Sequence, residues 1–184
     1  MDGFMDTVDA KSSYKDREEK LRILKDPHTG AFAVIYCVVY NLLMLGLMYE
    51  IVTYDKALSL YIYVAITYTL SRILSGLSVV YFKKAKKDGM LSDTSKSQSK
   101  SVGPVLIALL IILAVGSILL EIISGCLSIV FAIAVFLAGA LSFIYYRYMS
   151  YKVFGGTTGD LAGYFLCVCE LLGVFAVVIC SYCL

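Results

Sequence analysis

Tryptophan is absent from this chain, histidine occurs once, proline twice, and only 16% of the residues are charged. Each shortage closes off a class of protein. A lone histidine cannot build a multi-histidine metal centre, and His28, following Pro27 beside Asp26, reads as a polar loop residue rather than a catalytic base. So few charges, set against 60% hydrophobic residues and a mean hydropathy of +0.82, exclude an ordinary soluble domain. No internal repeat or broken-helix symmetry of the transporter kind is visible. A cleavable secretion signal is not expected, because the first apolar run begins only after the polar segment 1–30. The six cysteines lie in apolar runs or at their ends, where small hydrophobic filling is the default role; Cys167 and Cys169 would face nearly opposite ways on a helix, and Cys180–Cys183 lacks a redox context.

What is present is long apolar sequence. Five stretches, 31–52, 57–82, 102–120, 122–145 and 161–184, are long enough to cross a bilayer, so the expected fold is all-α: a single polytopic membrane helix bundle. Residues Glu121–Ser124–Gly125 read as the turn of a tight hairpin between the third and fourth spans. Tyrosine, with 15 residues, supplies the aromatic belt, as at Tyr145, Tyr146, Tyr148 and Tyr151.

Of the 16 lysines and arginines, all but Lys56 and Arg72 fall in segment 1–30, the Lys/Ser-rich loop 83–101 or the loop before the last span. This asymmetry predicts a cytoplasmic N-terminus and an external C-terminus. It gives no support to nucleic-acid binding, since the lysines suit juxtamembrane topology and lipid headgroups equally well. The Ser-rich run 92–101 reads as a mobile loop. All the chemically interesting loops then lie at one membrane surface.

Three carboxylates open the chain. Asp2, Asp6 and Asp9, spaced by four and three, fall within about 60° of arc on one helical face. At about 6 Å and an effective dielectric of about 20, each neighbouring pair repels by roughly 3 kcal/mol. Two readings are open: a site for a hard divalent cation such as Mg2+, or a solvated acidic helix start favoured by the helix dipole. The run Gly155–Gly156–Thr157–Thr158–Gly159–Asp160 before the last span also has two. Asp160 caps the helix, or the glycine-rich turn presents backbone N–H groups to phosphate with Asp160 as a metal ligand. It is no dinucleotide fingerprint, for no strand precedes it and the spacing differs. Arg72 and Glu170, each about 15 Å along its span from the cytoplasmic end, form an interhelical ion pair, or Arg72 reaches a ligand phosphate through a cavity.

Taken in order, Asp2–Gly3–Phe4–Met5–Asp6–Thr7–Val8–Asp9, Lys25–Asp26 with Gly30–Ala31–Phe32, Ser71–Arg72, Asp88–Gly89, and Gly155–Gly156 with Thr158–Gly159–Asp160 and Glu170 resemble the cobalamin synthase family, adenosylcobinamide-GDP ribazoletransferase. The likeness runs along nearly the whole chain. It implies a Mg2+-dependent enzyme that joins adenosylcobinamide-GDP to α-ribazole or its phosphate and releases GMP, in a bacterial or archaeal cell membrane, with the site facing the cytoplasm. On that resemblance the metal falls to Asp2, Asp6 and Asp9, catalytic or metal-supporting work to Asp26 and Asp160, and substrate phosphates to Lys25, Arg72, Thr158 and Gly159.

The chain also departs from the pattern. Ala10 and Ala33 stand where glycine is usual, Cys167 where Glu or Gln is common, and the His two positions before the first aspartate is lacking. Family members carry a further N-terminal portion with more membrane segments. The expectation is therefore that such a portion is needed, upstream or as a separate chain, and that this chain by itself is weak or inactive. The alternative class is a small transporter or an integral-membrane interaction protein without catalysis.

Overall fold

The computed structural model describes residues 1–54, 57–85, 90–124 and 129–183, with side chains omitted at 57, 59, 90–101, 121, 123 and 124. Asp88–Gly89, Lys56, Lys86, Lys87, Cys126 and Leu184 lie outside the described residues, as do the side chains of Lys96, Lys100 and Glu121.

Two short helices lead into five long ones. The first, α1 (Asp2–Ser12), is followed by α2 (Arg17–Ile23), which Asp16 caps by accepting the Glu19 N–H at 2.9 Å. Then come α3 (Ala31–Thr53), α4 (Ala57–Tyr81), α5 (Met90–Ser124), α6 (Ile129–Met149) and α7 (Gly159–Cys183). A π-helical turn, Ser150–Phe154, continues α6, and no strand is found among the described residues. The five long helices are each long and apolar enough to cross a membrane: Ala31–Thr53, Leu60–Tyr81, Val102–Leu120, Ile129–Phe154 and Gly159–Cys183. This is a multi-pass membrane protein.

Two expectations are corrected. The helix α5 runs through Glu121 to Ser124, so these residues are not a turn, and the next span begins at Ile129 rather than 122. No proline or glycine interrupts Ser117–Ser124, so nothing in that stretch stops a helix. The same helix starts at Met90 and absorbs the Ser-rich run read as a mobile loop. Serine and lysine there report a watery environment, which a helix emerging from lipid also meets.

Burial sorts the spans into inner and outer. Half of the most apolar window of α4 and of α7 is buried, against 6% for α3 and 11% for α5. The core is therefore an α4–α6–α7 packing, with Tyr63, Tyr146, Phe154, Phe165, Val174 and Val177 fully enclosed, while α3 and α5 turn nearly all their surface outward. A helix apolar all round and exposed on most of it is one that faces hydrocarbon.

At the polar end of the bundle the loops are stitched to one another. Thr157 N–H donates to Lys83 O at 2.8 Å and Ala85 N–H donates to Thr157 O at 3.0 Å, a parallel bridge joining the segment after α4 to the one before α7. The left-handed φ of +74° at Gly155 ends the π-turn, and a Cβ there would overlap the Arg17 guanidinium. Arg17 Nε donates to Phe154 O at 2.8 Å, which fastens α2 to the same junction.

Candidate functional site

The residues that could do chemistry meet where α1 crosses the start of α7. The contact is between backbones: a Cβ on Gly3 would lie 2.7 Å from both Cα and O of Asp160, and one on Gly163 would lie 3.5 Å from Gly3 Cα. Only glycine at residue 3 permits this approach, which sets Asp2 and Asp6 of α1 beside Asp160 of α7. Burial, with the charges of Asp2, Asp160 and Asp9, pushes the Asp6 carboxyl above the ordinary aspartate range. The Lys25 ammonium acts electrostatically on Asp160 from the end of α2. Three carboxylates from two helices and one lysine thus share a partly exposed pocket of charge, with negative charge in excess.

The candidate residues divide. Asp2, Asp6, Asp160 and Lys25 are brought together. Asp9 adds its charge to theirs and also bonds backbone: its Oδ2 accepts the Gly30 N–H at 2.5 Å and its Oδ1 accepts the Ala33 N–H at 2.9 Å. It serves as a cap for α3, supplied from another helix because Gly30 has no side chain to do it. Asp26 is engaged locally and exposed. Its Oδ1 accepts the His28 N–H at 2.9 Å and lies 2.7 Å from His28 Nδ1; the backbone bond above all, then the ring contact, holds its carboxyl below the usual range.

The last span is capped by Thr158, whose Oγ1 accepts the Leu161 N–H at 3.3 Å. Asp160 is therefore not the cap. It stands in the first turn with its carboxylate hydrogen-bonded to its own backbone N–H, and Gly159 opens the helix, exposed. Arg72 forms the expected ion pair, and its exposed guanidinium also lines a cavity of about 520 Å³ beside Tyr68 and Leu109. Its Nη2 is 3.2 Å from Glu170 Oε1, and Ser71 Oγ donates to the same oxygen at 3.0 Å. Ten residues of α7 separate Glu170 from Asp160, about 15 Å of helix, so Arg72 is not assembled with the carboxylates.

Sequence reasoning missed Gly3 and Gly163, although a small residue beside an acidic one recurs in both helices. It also missed Lys11, read only as a topology charge. Lys11 Nζ donates to Tyr145 Oη at 2.8 Å and Tyr164 Oη at 3.2 Å and lies over both rings. Burial lowers its pKa, but hydrogen bonding to Tyr145 and the Tyr164 contact prevail and hold it above the ordinary lysine value.

The donor set suits a hard divalent cation in its chemistry: carboxylate oxygens in excess, mutually repelling, with one lysine nearby. Among the described residues, however, no group of three or more His, Cys, Asp or Glu side chains stands ready as a metal cage. Asp2, Asp6 and Asp160 act on one another electrostatically, and Asp9, which also acts on Asp6, is engaged by two backbone amides.

Residues 1–178 match the family described as cobalamin-5-phosphate synthase. Among curated proteins, the chain is 46% identical over 97% of its length to an adenosylcobinamide-GDP ribazoletransferase of Lachnoclostridium phytofermentans, covering 64% of that protein. It is 34% identical to one from Clostridium botulinum, covering 66%, and 33% identical to one from Clostridium perfringens, covering 65%. The chain thus spans just under two thirds of the length of these relatives. No solved structure matches it.

Proposed function

Because the chain belongs to the cobalamin-5-phosphate synthase family, we propose that it carries the site of a ribazole transfer: adenosylcobinamide-GDP plus α-ribazole, or its phosphate, giving the cobalamin product and GMP. In that reaction a ribazole hydroxyl oxygen bonds to the phosphorus on the cobinamide side of the pyrophosphate. The P–O bond to GMP breaks and the hydroxyl proton is released. Little covalent work falls to the protein, whose task is to hold two anionic groups in line and offset their charge. The observation that carries this reading is the Gly3 crossing, which gathers Asp2, Asp6 and Asp160 with Lys25 at one end of the bundle.

Roles follow from position. Bound at Asp2, Asp6 and Asp160, Mg2+ would supply the positive charge that pyrophosphate oxygens and a GMP leaving group require. Lys25 supplies a fixed cation for the same oxygens. Thr158 keeps the first turn of α7 formed, and the exposed Gly159 lets a phosphate approach the backbone there without a side chain in the way. The lysine and arginine asymmetry supports a cytoplasmic site, where GDP-activated substrates are found.

The test is GMP release from adenosylcobinamide-GDP and α-ribazole by protein in phospholipid vesicles, with and without Mg2+. It is run on this chain alone and together with the portion of the Lachnoclostridium relative outside the matched segment. Mg2+-dependent release abolished by Asp6→Asn, and kept by Glu18→Gln on the exposed face of α2, is the expected result. Release indifferent to Mg2+ would remove the metal from the reading. No release from either preparation of folded protein would remove the reaction. Labelling of Lys15→Cys from outside sealed cells would place the site on the other surface.

A further inference from the structure

The carboxylates use only one side of α1. Phe4, Val8 and Lys11 recur at intervals of four and three on the opposite side, about 180° round the helix from Asp2, Asp6 and Asp9. That side roofs a cavity of about 300 Å³ between α3 and α7, walled by aromatic and aliphatic residues including Tyr36, Tyr40 and Tyr164. A second cavity of about 440 Å³ shares Leu43 and Leu171 with the first and extends the same cleft to Leu47 and Phe175. From Tyr36 to Leu47 the cleft follows eleven residues of α3, about 16 Å, close to half of a hydrocarbon core about 30 Å thick. It is the depth of one leaflet.

The cleft has a cation at its polar mouth and nowhere else along its lining. Lys11 Nζ is oriented by two phenol oxygens, and its third proton has no partner among the described residues. We propose that this cleft is a binding site for one anionic phospholipid, its phosphate on Lys11 and an acyl chain laid between α3 and α7. Charge complementarity and leaflet depth select this occupant over a soluble nucleotide, which has no apolar tail to fill a 16 Å cleft. They also select it over another transmembrane helix, whose C-terminus offers Lys11 only about half a negative charge against the full charge of a phosphate. Tyr145 and Tyr164 hold the ammonium in place and add their hydroxyls at headgroup level, where amphipathic rings are favoured.

The experiment reconstitutes the full chain in vesicles of phosphatidylglycerol and phosphatidylcholine containing a phosphatidylglycerol with a photoactivatable acyl chain, and maps adducts by peptide mass spectrometry. Adducts should concentrate on the segments bearing Tyr36–Leu43 and Tyr164–Leu171 rather than on the equally exposed face of α5 bearing Ile111, Val115 and Ile118. Lys11→Gln should lower the cleft adducts by roughly tenfold, the equivalent of one charge-assisted hydrogen bond, and leave the α5 background unchanged. Lys11→Arg should retain them. Leu43→Trp, which fills the cleft at an exposed position, should abolish them even if Lys11→Gln disturbs folding. Uniform labelling of α3, α5 and α7 would overturn the proposal. So would cleft adducts indifferent to both Lys11→Gln and Leu43→Trp, displacement of the lipid by α-ribazole, or cross-linked pairs of chains in place of lipid adducts.

Discussion

Charge appears in two regions of this largely apolar chain, and the two are handled oppositely. Along the spans the outward-facing Arg72 pairs with the buried Glu170, and Ser71 donates to the same carboxylate. At the bundle's end Asp2, Asp6 and Asp160 gather with Lys25 nearby, and burial, then the neighbouring carboxylates, raise the Asp6 pKa. A balanced pair in a low-dielectric setting holds helices in register and asks for no ligand. An unbalanced cluster asks for one. The intramembrane charges, which looked equally functional in the sequence, are paired with each other, and the proposed function places its chemistry on the partly exposed surplus.

That contrast can be broken most forcefully at the surplus. Under the proposed reaction, Asp6→Asn and Asp160→Asn should each reduce GMP release by at least roughly a hundredfold. Neither should lower stability measured without divalent ions, since each removes a repelling charge. A large loss of stability instead would make these carboxylates structural, like Glu170.

The balanced pair should answer the other way. Glu170→Ala leaves the outward-facing Arg72 without its partner and Ser71 without its acceptor, and should cost about 2 kcal/mol. Arg72→Leu combined with Glu170→Ala should recover most of that loss, as read in a double-mutant unfolding cycle. Additive losses would show that the two side chains do not act as a pair.

Smaller effects sharpen the boundary of the site. Gly3→Val forces α1 away from the Asp160 backbone and should cut activity by roughly tenfold or more, with the helix content by circular dichroism kept. Asp9→Ala removes the acceptor for two N–H groups of α3 and should cost about 1–2 kcal/mol in unfolding. A Mg2+ affinity unchanged in that variant would confirm that Asp9 caps rather than coordinates.

The smallest effect is one of pH. With chelator present, the folded chain holds the Asp6 proton in a window where the unfolded chain has already released it. Stability should therefore fall as pH rises from the ordinary 3.8 through the raised Asp6 value. Asp6→Asn or saturating Mg2+ should flatten that slope, followed by chemical unfolding at each pH.

How much of this was legible beforehand varies from element to element. The five spans were, because runs of about twenty apolar residues have few alternatives. The end of the third was not: the polar residues at Glu121–Ser124 resemble a turn, yet without proline or glycine the helix continues. In the candidate site Asp2, Asp6, Lys25 and Asp160 were readable as candidates. Asp9 was readable only as a third member of their stripe.

By itself the sequence determined that this chain is a helical membrane protein, that its charges collect at one end, and that one face of its first helix is acidic. These follow from hydrophobicity and the 3.6-residue period, which are properties of a single segment. The tertiary structure decided that Asp160 lies beside Asp2 and Asp6, that Thr158 rather than Asp160 caps the last helix, and that Lys11 stands over a cleft. Each of those depends on which backbone lies against which. The missing side chain of Gly3, by letting α1 touch α7, settles the first.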